Sequence, residues 1–250
     1  MAEPAPASTQ PLDGGRALDV LANGEMVKVH GLMPGSSNYT LLATVRYNGS
    51  KVLVVYKPAR GERSLWDFPQ GSLALREVAA YTVCQALGWS FVPPTVLREG
   101  EYGLGAVQLF IDADFESHYF TLRDHNRFLF QQVAAFDIVV NNADRKAGHC
   151  LRDQMGQIWM VDHGLTFHPD NKLRTVIWDF AGQPIPEQIL TDLRCLQAGL
   201  AECSDRWLKQ LARLISRTEL NVFRRRVDRL LSAAHFPTPG PGRNVPYPPI

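Results

Sequence analysis

The chain has 250 residues, of which 45% are hydrophobic and 20% are charged, and its formal net charge at pH 7 is +1. This composition is typical of globular proteins and excludes a chain that is disordered throughout. The small net charge gives no reason to expect nucleic acid or an anionic membrane as a partner. The length suffices for one large domain or for two lobes that share a cleft.

The cysteines and the N-terminal sequence bear on the cellular compartment. The four cysteines form no C-x-x-C pair and no spacing typical of zinc sites, which predicts reduced thiols. The N-terminus lacks the basic region and apolar core of a signal peptide. No apolar run approaches the roughly 20 residues that a membrane-spanning helix requires. We therefore expect a cytoplasmic protein without a stable membrane anchor.

The first 114 residues predict a disordered start and then a β-rich N-lobe. Residues 1–15 are rich in Ala, Pro and Gly, which predicts disorder. Within residues 16–114, "GEMVKVHGLM" predicts a strand, and Asn48-Gly49 between two apolar runs predicts a hairpin. The segment "SLALREVAAYTVCQALGW" predicts a helix ending near Gly88. The segments "VPPTVLRE" and "GLGAVQLFID" predict one more strand pair.

Residues 115–236 predict a mostly helical C-lobe. The segment "RDHNRFLFQQVAAFDIVVNN" has apolar residues at helical spacing, and a short hairpin follows in "GHCLRD" and "QIWMVDHG". Two or three amphipathic helices are expected between Pro186 and Ala234, one of them starting near Ser216 or Thr218. The basic run 224–226 predicts a solvated helix face. The proline-rich tail, residues 237–250, should be extended, either lying over the surface or hanging free.

Two features of the predicted N-lobe sheet point to phosphate binding. Ser36, Ser37 and Asn38 follow Gly35 between two strands, where backbone N–H groups and hydroxyls could approach phosphate oxygens closely. A polar hairpin turn would have the same composition. Lys57 ends an apolar strand and could place its ammonium in a cleft, although a strand-end lysine can also extend into water.

Three acidic residues extend the pattern. Glu77 lies on the following helix and could pair with the lysine, or it could be a solvated helix residue. Asp144 and Asp162 each follow an apolar run, and a carboxylate there could orient an acceptor hydroxyl or hold Mg²⁺. His149 stands where a second metal ligand would be expected, and the alternative is a surface turn residue.

The chain order of these features is that of phosphoryl transfer: phosphate loop, lysine, glutamate, connector, catalytic aspartate and metal aspartate. We therefore predict an α+β, bilobal protein-kinase-like fold with a β-rich N-lobe containing one helix and a mostly helical C-lobe. The expected cofactors are ATP and Mg²⁺ or Mn²⁺.

The motifs resemble those of the phosphatidylinositol 3-/4-kinase superfamily, and in particular the type II phosphatidylinositol 4-kinases. The similarity spans about residues 30–170 and also extends to a group of kinase-like proteins found mainly in actinobacteria and Chloroflexi. It rests, in chain order, on "GSSN", "VVYKP", "REVAAYTVCQALGWSFVPPTVL", "GAVQLFID", "DIVVNNADR" and "VDHGLTF".

The resemblance implies a role for each matching residue. Asp144 would be the catalytic aspartate, and Asp162 would be the principal metal ligand. In the phosphotransferase that we predict, Arg145 could neutralise charge beside Asp144. The nucleotide would contact Ser36, Ser37, Asn38, Lys57, Glu77 and the hinge residues Leu109, Phe110 and Ile111. One position departs from the family: His149 replaces a metal-binding asparagine, and imidazole suits Mn²⁺ better than Mg²⁺.

The sequence therefore predicts an ATP- and metal-dependent phosphotransferase acting on a small molecule or a protein in solution. Three alternatives stay open: a nucleotide-binding pseudokinase acting as a regulatory module, an adenylyl transferase, and a phosphatidylinositol kinase proper. The acceptor and the oligomeric state do not follow from the residues, because a fold does not specify its substrate.

Overall fold

The computed structural model describes residues 14–34, 39–114, 116–202 and 205–250. The chain forms two compact units. The first comprises the described residues of Met1–Val78 together with Pro93–Ile111. The second comprises Ala79–Val92 and the described residues of Asp112–Ile250.

The first unit is built on a five-stranded antiparallel sheet with the strand order β1-β2-β3-β5-β4. Its elements are helix α1 (Gly14–Asn23), strands β1 (Glu25–Leu32), β2 (Leu41–Tyr47) and β3 (Ser50–Pro58), the start of helix α2 (Leu73–Ala86), and strands β4 (Thr95–Gly100) and β5 (Gly103–Leu109). Every predicted strand of this region is confirmed. The hairpin forms at Asn48-Gly49, where both residues have positive φ, 47° and 80°, as a tight hairpin turn requires.

Helix α1 was not predicted. Gly14 and Gly15, which were included in a disordered start, instead begin this helix, while residues 1–13 lie outside the described part of the chain. Val20 and Leu21 of α1 are buried in one apolar cluster with residues of β2, β3 and β5. Arg98 of β4 donates hydrogen bonds to the carbonyl oxygens of Leu21 (2.9 Å) and Gly24 (2.7 Å). Tertiary contacts therefore stabilise a helix that glycines at its start would disfavour.

The second unit is mostly helical, as predicted. Its elements are the remainder of α2, helices α3 (Tyr119–Leu122) and α4 (Arg127–Val140), the two-stranded sheet β6 (Cys150–Arg152) and β7 (Ile158–Met160), and helices α5 (Glu187–Ala201), α6 (Arg206–Leu214) and α7 (Arg217–Ala233). Helix α7 begins with a capping box, in which Ser216 Oγ accepts from the Glu219 N–H and Glu219 Oε2 accepts from the Ser216 N–H. This confirms the helix start predicted near Ser216.

Helix α4 is the central helix of the second unit. Nine of its 14 residues are buried, among them Phe130, Phe136 and the charged Asp137. The helix ends at Asn141 in the left-handed region, with φ 55°. A helix buried on nearly all sides fixes the start of the loop that follows it, and that loop contains Asp144.

The proline-rich tail lies against the second unit. The carbonyl oxygen of Asn244 accepts from the Thr175 N–H and the Trp178 indole N–H, both at 3.0 Å. The Pro249 carbonyl oxygen accepts from the Ala147 N–H at 2.8 Å. Of the two sequence-based alternatives, an extended segment on the surface is thus the one observed.

Two further predictions concern thiols and membranes. Cys84 and Cys150 are buried free thiols, and burial raises the pKa of each to about 12. Cys195 is also free, whereas Cys203 lies outside the described residues. Within the described part of the chain, no helix combines the length and the apolar character that crossing a membrane requires.

Candidate active site

Lys57 and Glu77 form an ion pair in the first unit. Lys57 Nζ donates to Glu77 Oε1, joining the end of β3 to the start of α2. The glutamate side chain is only 3% exposed and the lysine 19%. A buried carboxylate needs such a partner, and the partner in turn restricts the lysine side chain. The pairing suggested by the chain order is therefore present, and neither residue is a solvated surface group.

The predicted hinge, Leu109–Ile111, follows the end of β5. The Leu109 N–H donates to the Pro94 carbonyl oxygen at 2.9 Å, and the Phe110 N–H donates to the Leu53 carbonyl oxygen at 3.1 Å. These two donors are committed to neighbouring strands. A ligand that hydrogen-bonds to this backbone would have to use carbonyl oxygens or the N–H of Ile111.

Ser36, Ser37 and Asn38 lie outside the described residues. The chain on either side of them is anchored, because the Met33 N–H donates to the Thr40 carbonyl oxygen at 2.8 Å. The flanking strands β1 and β2 pair up to Leu32 and Leu41. The assignment of these three residues to phosphate binding stays a prediction.

Asp144 lies in the loop after α4, in the second unit. Its N–H donates to Asn142 Oδ1 at 3.0 Å, and its carboxylate lies 3.5 Å from Lys146 Nζ. Burial raises the pKa of the Asp144 carboxyl, and the nearby Asp162 raises it further, while the Lys146 ammonium opposes the shift. Lys146 was not singled out from the sequence, although it stands two residues after the predicted catalytic aspartate.

Asp162 follows strand β7 and adopts a left-handed backbone conformation, with φ 61°. A non-glycine residue rarely adopts this conformation, and such strain is concentrated at functional sites. The Asp162 side chain is 51% exposed, and its Oδ2 lies 3.5 Å from His149 Nε2. The structure therefore brings together the two residues that were predicted to share a metal ion.

The orientation of the His149 ring bears on its role. Its Nδ1 accepts from the Lys146 N–H at 3.4 Å. A neutral imidazole with an accepting Nδ1 carries its proton on Nε2, the atom that faces Asp162. In this tautomer His149 can donate to the Asp162 carboxylate and hold it in place. It must transfer that proton before Nε2 can bind a metal ion.

Arg145 is the centre of a buried network that sequence reasoning did not anticipate. Arg145 and Asp137 are both 0% exposed. Arg145 Nε and Nη2 donate to the two carboxylate oxygens of Asp137 at 2.9 and 3.0 Å. Arg145 Nη1 donates to the Val161 carbonyl oxygen at 3.1 Å, and Nη2 lies 2.7 Å from His163 Nε2.

This network joins helix α4, the Asp144 loop and the segment that carries Asp162. Asn142 Nδ2 also donates to Asp137 Oδ1, at 2.9 Å. The burial of Arg145 and its commitment to Asp137 do not fit the expectation that it neutralises charge beside Asp144. Asp137 was missed, although one signal was available: it is the single charged residue within the apolar run "VAAFDIVV".

The donor set can be compared with what a divalent cation requires. Across the described ranges, no group of three or more His, Cys, Asp or Glu side chains could form a metal site by itself. A carboxylate and an imidazole, Asp162 and His149, are two protein donors. Mg²⁺ in phosphate-transferring proteins is typically held by one or two carboxylates together with phosphate oxygens. The residues present therefore fit a cation that a nucleotide helps to bind.

Comparisons with known proteins bear on both the fold and the motifs. No protein-family model matches the chain. In structure it is similar to the Helicobacter pylori proinflammatory kinase CtkA, with a TM-score of 0.52, 13% identity, and coverage of 86% of this chain and 94% of that one. In sequence it is 30% identical over 155 residues to the rice phosphatidylinositol 4-kinase gamma 4, covering 51% of this chain and 26% of the plant protein. The predicted α+β, kinase-like fold is confirmed.

A relative of nearly the same length completes the comparison. The chain is 38% identical over 265 residues to Protein Rv2133c of Mycobacterium tuberculosis. The matched region covers 92% of this chain and 94% of the mycobacterial protein. The chain has a kinase-like fold and belongs to the same protein family as Rv2133c.

Proposed function

We propose that this protein is an ATP- and divalent-metal-dependent phosphotransferase related to the phosphatidylinositol 3-/4-kinases. The observation that carries the proposal is the Lys57–Glu77 ion pair in a kinase-like fold. Kinases use a strand lysine paired with a helix glutamate to hold nucleotide phosphates. The partial sequence match to a plant phosphatidylinositol 4-kinase supports the same assignment.

The roles of the remaining residues follow from their chemistry. Asp144 would orient the acceptor hydroxyl and accept its proton, and a raised pKa makes a carboxylate a better base near neutral pH. Asp162, with His149, would hold the divalent cation, which supplies charge neutralisation on the phosphates when it is bound. Ser36, Ser37 and Asn38 would contact phosphate oxygens, and adenine would bind at Leu109–Ile111, where the Ile111 N–H is the candidate donor.

Arg145 receives a different role from the one that its position beside Asp144 first suggested. We propose that it positions the site without touching the substrate. Its guanidinium fixes the loop of Asp144 to Asp137 of α4 and to the backbone at Val161, directly before Asp162. Pre-organised geometry of this kind is the main source of catalysis in phosphoryl transfer.

The proposal is tested by ATP turnover and by transfer from γ-labelled ATP, each with Mg²⁺ and with Mn²⁺. The variants are Lys57→Met, Asp144→Asn and Asp162→Asn, and Asp124→Asn, whose side chain is 81% exposed, is the control. We expect each of the three to lower turnover at least 100-fold, since removing a general base or a charge-stabilising group typically costs that much. The control should retain full turnover.

Acceptors are then compared in the same assay: protein fractions, small-molecule hydroxyl compounds and phosphatidylinositol vesicles. We propose an acceptor in solution, and transfer to the vesicles alone would replace this acceptor class with a lipid. Full turnover in both Asp144→Asn and Asp162→Asn would remove these residues from the chemistry.

One observation favours a second candidate function, a nucleotide-binding pseudokinase acting as a regulatory module. His149 places a ring nitrogen, Nε2, 3.5 Å from Asp162 Oδ2, where a kinase would place a metal-binding oxygen. The module would bind ATP, as titration calorimetry would show, without transferring phosphate to any acceptor.

Adenylyl transfer is tested by mass spectrometry of the protein after incubation with ATP, because adenylyl transfer adds adenylate where phosphoryl transfer adds phosphate.

A further inference from the structure

The second unit contains a cavity of about 640 Å³ beside helix α7, and none of the described candidate active-site residues lines it. One wall is the arginine-rich face of α7, with Arg225, Arg226 and Arg229. Another is formed by Pro169, Asn171 and Leu173, after the Asp162 motif, and a third by the tail. Pockets of this size hold small organic ligands.

The charge of the cavity is one-sided. Three arginines and His235 line it, and none of the described residues that line it is acidic. The sequence-based expectation that residues 224–226 form a solvated face is therefore wrong for Arg226, which is partly buried within the cavity wall. Three guanidinium groups on adjacent turns of one helix repel one another, and an anion between them would reduce that repulsion.

Arg226 has unused hydrogen-bonding capacity. Its Nη2 donates to the His168 carbonyl oxygen and, at 3.2 Å, to the Pro169 carbonyl oxygen. Its Nη1 is buried and has no hydrogen-bond partner. Burial and the neighbouring Arg229 and Arg225 lower the pKa of Arg226 to about 10. A buried, unsatisfied guanidinium nitrogen costs free energy that a bound anion would recover.

Much of the remaining lining is apolar. Leu173, Trp178 and Phe236 contribute to the wall beside the arginines. An inorganic anion would satisfy the guanidinium groups but leave these surfaces in contact with water. A ligand that carries both an anionic group and a ring or apolar group would use both parts of the cavity.

We propose that this cavity binds a small organic phosphate ester. The phosphate would be held by Arg226 together with Arg225 and Arg229, because guanidinium groups match phosphate oxygens in paired hydrogen bonds. The apolar part of the ester would lie against Leu173 and Trp178. None of the described residues that line the cavity is among the proposed nucleotide contacts, and the proposal does not depend on the protein being an active phosphotransferase.

The surrounding hydrogen bonds connect this cavity to the Asp144 loop. Leu173 is followed by Arg174, whose N–H donates to the Asn142 carbonyl oxygen at 2.9 Å and whose carbonyl oxygen accepts from the Arg145 N–H at 3.0 Å. The Trp178 indole donates to the Asn244 carbonyl oxygen of the tail. A ligand in the cavity would therefore stabilise the segment that holds Asp144 in place.

The test is titration calorimetry of the full chain, without ATP or metal, using phenyl phosphate, inorganic phosphate and phenol as probes. We expect phenyl phosphate to bind at least tenfold more tightly than inorganic phosphate, and phenol not to bind. Binding should weaken with rising salt. Arg226→Gln should weaken the binding of phenyl phosphate at least tenfold. Arg229→Gln, at an exposed position, should also weaken it and replaces the first variant if that variant unfolds.

Arg217→Gln is the matched control, because Arg217 is an exposed arginine on the same helix and does not line the cavity. Equal affinity in Arg226→Gln, Arg229→Gln and Arg217→Gln would overturn the proposal. It would also be overturned if Lys57→Met abolished phenyl phosphate binding, because the probe would then be occupying the nucleotide site. Loss of ATP turnover in the Asp144 and Asp162 variants leaves this result unaffected, so the two proposals fail separately.

Discussion

At the scale of single residues, the buried Asp137–Arg145 pair dominates the candidate site. Both side chains are fully buried, and each carboxylate oxygen accepts from the guanidinium. Moving two charges out of water costs several kcal/mol per ion unless they are paired. Because both charges are committed to one another, we interpret the pair as a support of the Asp144 loop.

Asp137→Asn tests this interpretation. The change keeps the size of the side chain but leaves a buried arginine without its counter-charge, and we expect a loss of about 3–5 kcal/mol in the free energy of unfolding. Urea denaturation measures this free energy. Asp124→Asn is the exposed control, and its free energy of unfolding should stay within about 0.5 kcal/mol of that of the unsubstituted chain. The double variant Asp137→Leu, Arg145→Met should recover much of the loss. A loss below about 1 kcal/mol in Asp137→Asn would show that the pair is not a support.

At the scale of elements, the tail is a segment whose composition predicts its extended shape but not its place on the surface. Six prolines in 14 residues exclude a helix and a central strand, and they supply few backbone donors. The tail nevertheless accepts hydrogen bonds from Ala147, Thr175 and Trp178 through the carbonyl oxygens of Asn244 and Pro249. It therefore contacts the loop of Asp144 at Ala147, while Asp137 of α4 contacts the same loop at Arg145.

A chain that ends at residue 243 should lose the protection of the Ala147 and Thr175 amides from hydrogen exchange. Both amides donate to tail carbonyl oxygens in the full chain, and both would then donate only to water. The Met160 amide, which donates to the Phe91 carbonyl oxygen, serves as the internal control and should stay protected. Unchanged exchange at Ala147 would mean that the tail contact contributes nothing to the order of this loop.

At the scale of the whole molecule, the environment of Asp144 links its proposed function to stability. Burial raises the pKa of this carboxyl in the folded protein above its value in the unfolded chain. The folded state therefore binds the proton of this carboxyl more tightly than the unfolded chain does. The stability that the bound proton contributes is complete below the pKa of the carboxyl in the unfolded chain, near about pH 4. It is lost as the pH rises through the pKa of the carboxyl in the folded protein. At neutral pH the ionised side chain should destabilise the fold.

Asp144→Asn should consequently unfold at a higher urea concentration than the unsubstituted chain at pH 7. The advantage should shrink as the pH is lowered toward about 4, because the carboxyl becomes neutral there and resembles the amide. Urea midpoints at a series of pH values measure this difference. A gain that is constant with pH, or a loss at pH 7, would show that Asp144 is not desolvated. Stability gained together with lost turnover is the expected trade-off at a catalytic carboxylate.

Local patterns in the sequence were enough for most of the secondary structure. The Asn48-Gly49 turn, the amphipathic spacing of α4 and the Ser216–Glu219 capping box each depend on residues close together in the chain. The order of the motifs along the chain was also enough to predict a kinase-like fold and the pairing of Lys57 with Glu77.

The sequence by itself thus determined the fold class, most of the elements and most of the candidate site residues, because their signals are short-range or lie in the order of motifs. Only the tertiary structure decided that Arg145 is buried against Asp137, that α1 forms, that the tail packs near Asp144, and that Arg226 lines a cavity. Each of these depends on burial and on partners far away in the chain. The charge of an arginine is visible in a sequence, but whether water, a carboxylate or a cavity surrounds it is decided only when the chain folds.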